Sequence, residues 1–283
     1  GLEYKRYENQ HAEIYTTESS DRAFEEEVML SGFANAQVKG EGSGVSFDEA
    51  QETFTARYTH ETVALAFAIT EEAIEDNLYD RLASRYTKAL ARSMSNAKQV
   101  KSVEPLINGL PTADAFDSGD GVSLFNTSHP TVSGTFANTL ATQADLNETS
   151  LEQSLIDIAK MTDERGLRIA ARGVKMIIPS ELQFTAERLM KSQGRTGTAD
   201  NDINAIVSMG MVPQGYRVNN YLTDSDAFYI LTDVPNGMKM FNRSPLKTAM
   251  EGDFDTGNVR YKARERYSFG VSDPRGIFGV EGA

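Results

Sequence analysis

The sequence predicts an α+β fold, and three observations lead there. Helix-like and strand-like segments are mixed without the regular βαβ rhythm of a parallel sheet. Ile74, Leu78, Leu82, Tyr86, Leu90 and Met94 recur every fourth residue, which gives one long helix with a single apolar stripe. Near the end, Asn258 to Val271 alternates in the manner of a long strand.

Taken in order, Gly1 to Phe33 is polar and acidic, with Glu25, Glu26 and Glu27 ahead of Val28, Met29 and Leu30. It reads as an extended arm with room for one short helix, too poor in apolar residues to form its own core. Between Ala34 and Ile69, two strand-like stretches surround a glycine-rich turn, Gly40 to Gly44. The second stretch alternates Phe54, Ala56, Tyr58 and then, with shifted parity, Val63, Leu65, Phe67, Ile69, which predicts a long hairpin bulged near His60 to Thr62.

Thr70 is the predicted N-cap of the long helix, and Glu71, Glu72, Glu75 and Asp76 suit its positive end. About 30 residues of helix span roughly 45 Å at the usual rise. Pro105 to Asn147, rich in Gly, Pro, Ser, Thr and Asp, should be mostly loop with short strands. Leu151, Leu155, Ile158 and Met161 mark a second helix ending near Gly166, and the buried strand Val174 to Ile178 stops at Pro179. Ser180 then caps a third helix carrying Leu182, Ala186 and Leu189, followed by a polar link from Gly194 to Asn201.

Short strands are expected at Tyr216 to Leu222, Ala227 to Leu231 and Gly237 to Phe241. The closing strand places Arg260, Lys262, Arg264 and Arg266 on one face, with Val259, Tyr261, Ala263, Glu265 and Tyr267 on the other.

Composition narrows the function. A formal charge of −13 argues against a dedicated nucleic-acid binder, because that affinity comes largely from Lys and Arg displacing counterions. An acidic wall around a DNA store is compatible with it. Without cysteine there is no disulfide, thiolate zinc site or cysteine nucleophile. No run approaches the roughly 18 apolar residues that span a bilayer, and the start lacks a signal-peptide pattern, so no membrane is expected. The chain opens on Gly1, which a maturation cut, a tag remnant or renumbering would explain equally.

A search for chemistry returns none. His11, His60 and His129 are far apart and lack helical i+4 partners, so no metal site is expected. Ser128 beside His129 invites a catalytic reading, but neighbours in an extended segment point apart and no Gly-x-Ser-x-Gly elbow exists; a turn entering Pro130 is the better account. Gly40 to Gly44 lacks the Lys-Ser/Thr ending of a phosphate loop and carries Glu41, so it reads as a loop tip; Gly194 to Gly197 reads as a surface loop. The pair Asp253 and Asp255 reads as a solvated turn. The expectation is a protein with no catalytic residues and no cofactor.

Three segments carry a family resemblance. Phe54 to Asp80 resembles the loop-to-helix junction of phage Mu-like major head subunits. Leu124-Phe125 leading into Ser128-His129-Pro130 is similar to a stretch of that family, and so is Asn258 to Arg275, its closing strand. The order of arm, hairpin, long helix, mixed middle and terminal strand is similar to the Hong Kong 97 capsid fold.

The resemblance implies the major capsid protein of a tailed bacteriophage, assembling with itself into pentamers and hexamers of an icosahedral shell around double-stranded DNA that it holds without sequence-specific contacts. It implies an arm (1–33), an extended loop (34–69), a peripheral domain (70–148 with 250–283) and an axial domain (149–249). Portal, scaffold, protease and decoration proteins would be further partners. Localisation would be the virion, after assembly in the host cytoplasm. Some relatives cross-link a lysine to an asparagine; Lys39 lies in the loop, but nothing in this sequence carries that chemistry over.

Residues 1–70 hold 13 acidic against 5 basic side chains, a net of −8, while the closing strand has a basic face. Complementary charge fixes register between partners. The candidate inter-subunit set is therefore Glu25, Glu26, Glu27 and Glu41 against Arg260, Lys262, Arg264 and Arg266, with Lys39 as a further contact residue in the loop. Two rivals remain: an encapsulin-like compartment holding cargo enzymes, and an acidic hydrolase with a scattered site.

Overall fold

A computed structural model describes residues 4–75, 79–113, 116–194, 202–253 and 257–283, without the side chains of Ile74 and residues 79–82. Gly1, Asp76, Asp255, most of the link from Gly194 to Asn201, and the stripe side chains Ile74, Leu78 and Leu82 lie outside the described residues.

In chain order the strands are β1 (Thr16–Ser19), β2 (Phe24–Leu30), β3 (Glu52–Thr59), β4 (Glu61–Ile69), β5 (His129–Thr131) and β6 (Gly134–Phe136), then β7 (Gly173–Ile178), β8 (Tyr216–Val218), β9 (Phe228–Thr232), β10 (Met238–Gly252), β11 (Val259–Val271) and β12 (Ile277–Val280). The helices are α1 (Glu71–Glu75), α2 (Tyr79–Asn108), α3 (Glu148–Lys160), α4 (Gln183–Lys191) and α5 (Ala205–Ser208). This α+β chain divides into two compact units.

The first unit comprises Gly1–Glu25, Tyr58–Val103 and Met240–Phe269. Its four-stranded sheet has the order β1-β10-β11-β4. Alternation along β11 sorts the side chains as expected: Ala263, Glu265 and Tyr267 are buried, Arg260, Lys262 and Arg264 exposed, and Arg266 half-buried. The buried face meets α2, where Leu90, Met94 and Ala263 form a core joined by Tyr4, Val63, Phe67 and Leu246. Phe67 stacks on Tyr261 at 5.0 Å and meets Tyr86 edge-on at 5.6 Å.

Thr70 reaches the first turn of α1 by accepting from the Ala73 N–H. The arm is less bare than its composition suggests. His11, Ile14 and Tyr15 are buried, the Tyr15 hydroxyl donates to the Ser102 carbonyl at 2.6 Å, and the His11 N–H donates to Gln99 Oε1 at 3.0 Å.

The second unit comprises Glu26–Arg57, Glu104–Lys239 and Gly270–Ala283. Its sheet runs β12-β9-β7-β8, with β7 and β8 parallel and the other pairs antiparallel. Leu151, Leu155 and Ile158 of α3 share one core with Met176, Phe228, Ile230, Phe278 and Val280. α3 starts on a capping box in which Asn147 accepts from the Ser150 N–H and Ser150 accepts from the Asn147 N–H. At Gly173 a Cβ would stand 2.8 Å from Leu155 and 2.9 Å from Ile230, so only glycine allows this close approach of helix and sheet. β2 and β3 form a separate two-stranded ribbon.

Several sequence expectations need correction. Residues 31–51 contain no strand, so the partner of β3 is β2 within the supposed arm, and Gly40 to Ser43 is only a turn at the tip. The parity shift at His60 is a change of sheet: β3 pairs with β2, whereas β4 pairs with β11. α2 continues through Pro105 to Asn108, although Pro105 has no N–H to give the carbonyl four residues back. α3 stops at Lys160; Gly166 instead supplies the positive φ of 79° in the turn from Asp163. Ser180 opens a 3-10 turn ahead of α4 and donates to Glu181 without capping it. β8 ends at Val218, and β10 runs on to Gly252.

Candidate functional site

The most distinctive surface is the outer face of the first unit's sheet. Cross-strand register sets Ala68, Ala66, Ala64 and Thr62 of β4 beside Arg260, Lys262, Arg264 and Arg266 of β11. All four β4 residues are exposed, so a row of long cations is bordered by a strip with almost no side-chain height. Arg260 pairs with Asp253, an exposed contact of the kind worth about 0–1 kcal/mol. This face can receive an extended anionic segment, because small residues let a backbone approach while the cations set register.

The predicted acidic residues are dispersed. Ser20 donates to Glu25 at 2.7 Å and Arg22 lies nearby, Glu26 faces Arg57 at 3.7 Å, and Glu27 accepts from Lys239. Lys39 and Glu41 are exposed on the tip of the loop between β2 and β3. That tip also leaves Val38 and Phe47 at 100% and 93% exposure, values that hydrophobic side chains of a finished surface rarely show.

The histidines occupy three separate buried networks. His11 is held down to about 4 by burial and then by Lys98, against the bond from Gln99. His60 bridges Ser268 at 3.0 Å and Ser20 at 2.8 Å, and burial followed by Arg266 keeps it below the ordinary imidazole range. His129 lies 2.6 Å from Asp120 and 2.9 Å from Asn138 Oδ1, with both ring nitrogens engaged. Ser128 is exposed, its N–H donating to Asn126, so no Ser-His dyad forms. Among the described residues no group of three His, Asp or Glu converges as a metal site, and no helix is long and apolar enough to cross a membrane.

Three buried polar pairs are not legible in the sequence. Lys98 meets Glu265 at 3.3 Å with only 1% of the glutamate exposed, and the Tyr4 hydroxyl donates to the same carboxylate. Arg275 donates to Glu164 at 2.6 Å and contacts Asp273 at 3.3 Å. The third is His129 with Asp120. Partners 167, 111 and 9 residues apart have no periodicity to betray them.

A family model described as phage capsid protein matches residues 52–280. No curated protein matches the sequence. Among solved structures, the capsid of cyanophage P-SCSP1u is similar at TM-score 0.59 and 11% identity, covering 95% of this chain and 86% of its own. The capsid of Myoviridae phage XM1 gives 0.57 and 12%, over 95% and 89%. A virus-like particle from Pyrococcus furiosus gives 0.52 and 10%, over 99% and 95%. Identities this low speak for the fold alone.

Proposed function

Because the chain belongs to the phage capsid protein family, we propose that it builds a tailed-phage head by assembling with itself into the pentamers and hexamers of an icosahedral shell around double-stranded DNA. Family membership gives the coarser statement outright: a structural capsid protein of the virion, of the Hong Kong 97-like fold, that associates with copies of itself. The finer parts are our reading. The subunit performs no chemistry, assembles in the host cytoplasm with scaffold, protease, portal and decoration proteins as partners, and contacts the DNA without reading its sequence. The family match to phage capsids favours this over an encapsulin-like compartment.

In that shell, residues 1–33 act as the arm, 34–69 as the extended loop, 70–148 with 250–283 as the peripheral domain, and 149–249 as the axial domain. The packing of α2 on β11 supports grouping the long helix with the closing strand, while the core around β7 and β9 also takes in Leu140, Phe278 and Val280. The observation that carries the reading is the β2–β3 ribbon, whose tip exposes Val38 and Phe47. A neighbour must cover it, since exposed apolar surface costs free energy until it is buried.

We assign the cover to charge as well as apolar area: Glu25, Glu26, Glu27 and Glu41 of one subunit register against Arg260, Lys262, Arg264 and Arg266 of another, and Lys39 contacts the neighbour from the same loop. Reversing Lys262 and Arg264 to Glu should reduce assembly most at low salt, read by sedimentation. Wild-type assembly at every salt concentration would remove the charge pairing and leave the shell reading standing.

A further inference from the structure

Shell building leaves one buried set of side chains unexplained: His129, Asp120 and Asn138, all in the second unit. His129 and Asp120 are 0% and 2% exposed. We propose that His129 is a buried imidazolium paired with the Asp120 carboxylate, and that the pair is an alkali-sensitive latch fastening the loop segment 117–138 to the C-terminal strand β12.

The arrangement of donors and acceptors supports it. Asn138 Nδ2 donates to the carbonyls of Leu124 at 2.7 Å, Pro274 at 3.1 Å and Ile277 at 3.4 Å. Turning the amide over would aim oxygen at three oxygens, so Oδ1 must lie on the other side, where it accepts from the Asn126 N–H at 2.9 Å. His129 Nε2, 2.9 Å from that oxygen, therefore carries a proton. On the other side of the ring, Nδ1 meets Asp120 Oδ2 at 2.6 Å, while Asp120 Oδ1 accepts from Ser118 at 2.7 Å and from the Val122 N–H. Burial raises the Asp120 carboxyl, but the donors from His129, Ser118 and Val122 and the charge of His129 outweigh it and hold it below the usual range. An ionised Asp120 accepts, so Nδ1 donates as well.

The surroundings fit a cation. The imidazole stacks on Phe136 at 4.7 Å and 15°, and the Arg275 guanidinium lies 4.0 Å from the same ring centroid. Arg275 is itself matched by Glu164 and Asp273, which limits its repulsion of His129. The charged groups around the latch are thus Asp120, Asp273, Glu164 and Arg275. Asn138 links it mechanically to the strand, because it also accepts the Gly279 N–H on its carbonyl at 3.0 Å.

Withdrawing the Nδ1 proton would leave a buried, ionised Asp120 oxygen without its donor, and withdrawing the Nε2 proton would set a lone pair against Asn138 Oδ1, so either loss breaks one side of the latch. The latch is therefore closed while both ring nitrogens of His129 carry a proton and opens where either is lost. Acid opens it only where Asp120 protonates, below the ordinary carboxylate range.

The test is solid-state NMR of assembled particles carrying ¹⁵N-histidine. With three histidines and two of them held neutral by burial, neutral pH should show one ring with both nitrogens protonated. In Asp120→Asn that ring should become neutral, since an amide can donate to Nδ1. Three neutral rings in the wild type would overturn the assignment, even if the variant fails to fold. Limited proteolysis reads the latch: cleavage within 117–138 should rise at the pH where the imidazolium signal disappears. Unchanged cleavage across that titration would overturn the latch while leaving the ion pair.

Discussion

The sheet of the second unit and the ribbon that leaves the same unit are built from similar residues and end in opposite conditions. Met176, Ile177, Phe228, Ile230, Ile277 and Phe278 have no exposed surface, whereas Val28, Leu30, Phe33 and Val45 of the ribbon and its loop are 47% to 65% exposed. Strands buried on both faces need nothing further. A two-stranded ribbon has only one neighbour per strand and no third layer, so it is marginal by itself. The lesson is that folding and assembly draw on different parts of one chain, and substitutions should separate them.

Phe278→Ala should have the largest effect, removing about 3–5 kcal/mol of stability through a cavity in the sheet core, measured by chemical denaturation of isolated capsomers. Lys98→Met comes next in the first unit, since it leaves Glu265 buried and uncompensated; a loss of about 3 kcal/mol is expected in the same measurement. A similar loss from any ribbon substitution would erase the distinction between the two regions. Phe47→Ser should change denaturation by no more than about 0.5 kcal/mol yet lower the assembled fraction several-fold in sedimentation.

The pH dependence sharpens the first unit's part. His11 is held at about 4 in the folded chain against 6.5 ordinarily, so the unfolded chain binds the proton first. Its contribution is complete above pH 6.5, falls as pH drops towards 4, and changes no further below. Replacing His11 by Gln should flatten that part of the stability curve.

Legibility followed the same divide. The long helix and the alternation of β11 were readable because each has one face in water and one in the core, which imprints a period on the residues. The ribbon was misplaced for the converse reason. Alternation reports which face a residue takes, not which strand lies beside it, so the step at His60 read as a bulge while the chain was changing sheets. β10 beyond Phe241 escaped because its end, from Lys247 to Gly252, is exposed on both faces. β12 is a short apolar run following Pro274 to Gly276, which reads as loop.

The candidate site was half readable. The basic face of β11 followed from parity alone, and Lys39 and Glu41 from their glycine-rich surroundings. The alanine strip beside that face needed the β4–β11 register, and the His129 latch needed Asn138 to be placed against three carbonyls. Long-range pairing of this kind leaves no local pattern.

Cryo-electron microscopy of the purified protein tests the central claim most directly. Icosahedral shells, or pentamers and hexamers in which the β2–β3 ribbon and its tip lie on a neighbouring subunit, are the predicted result. A monodisperse compact monomer at every salt and protein concentration would contradict it.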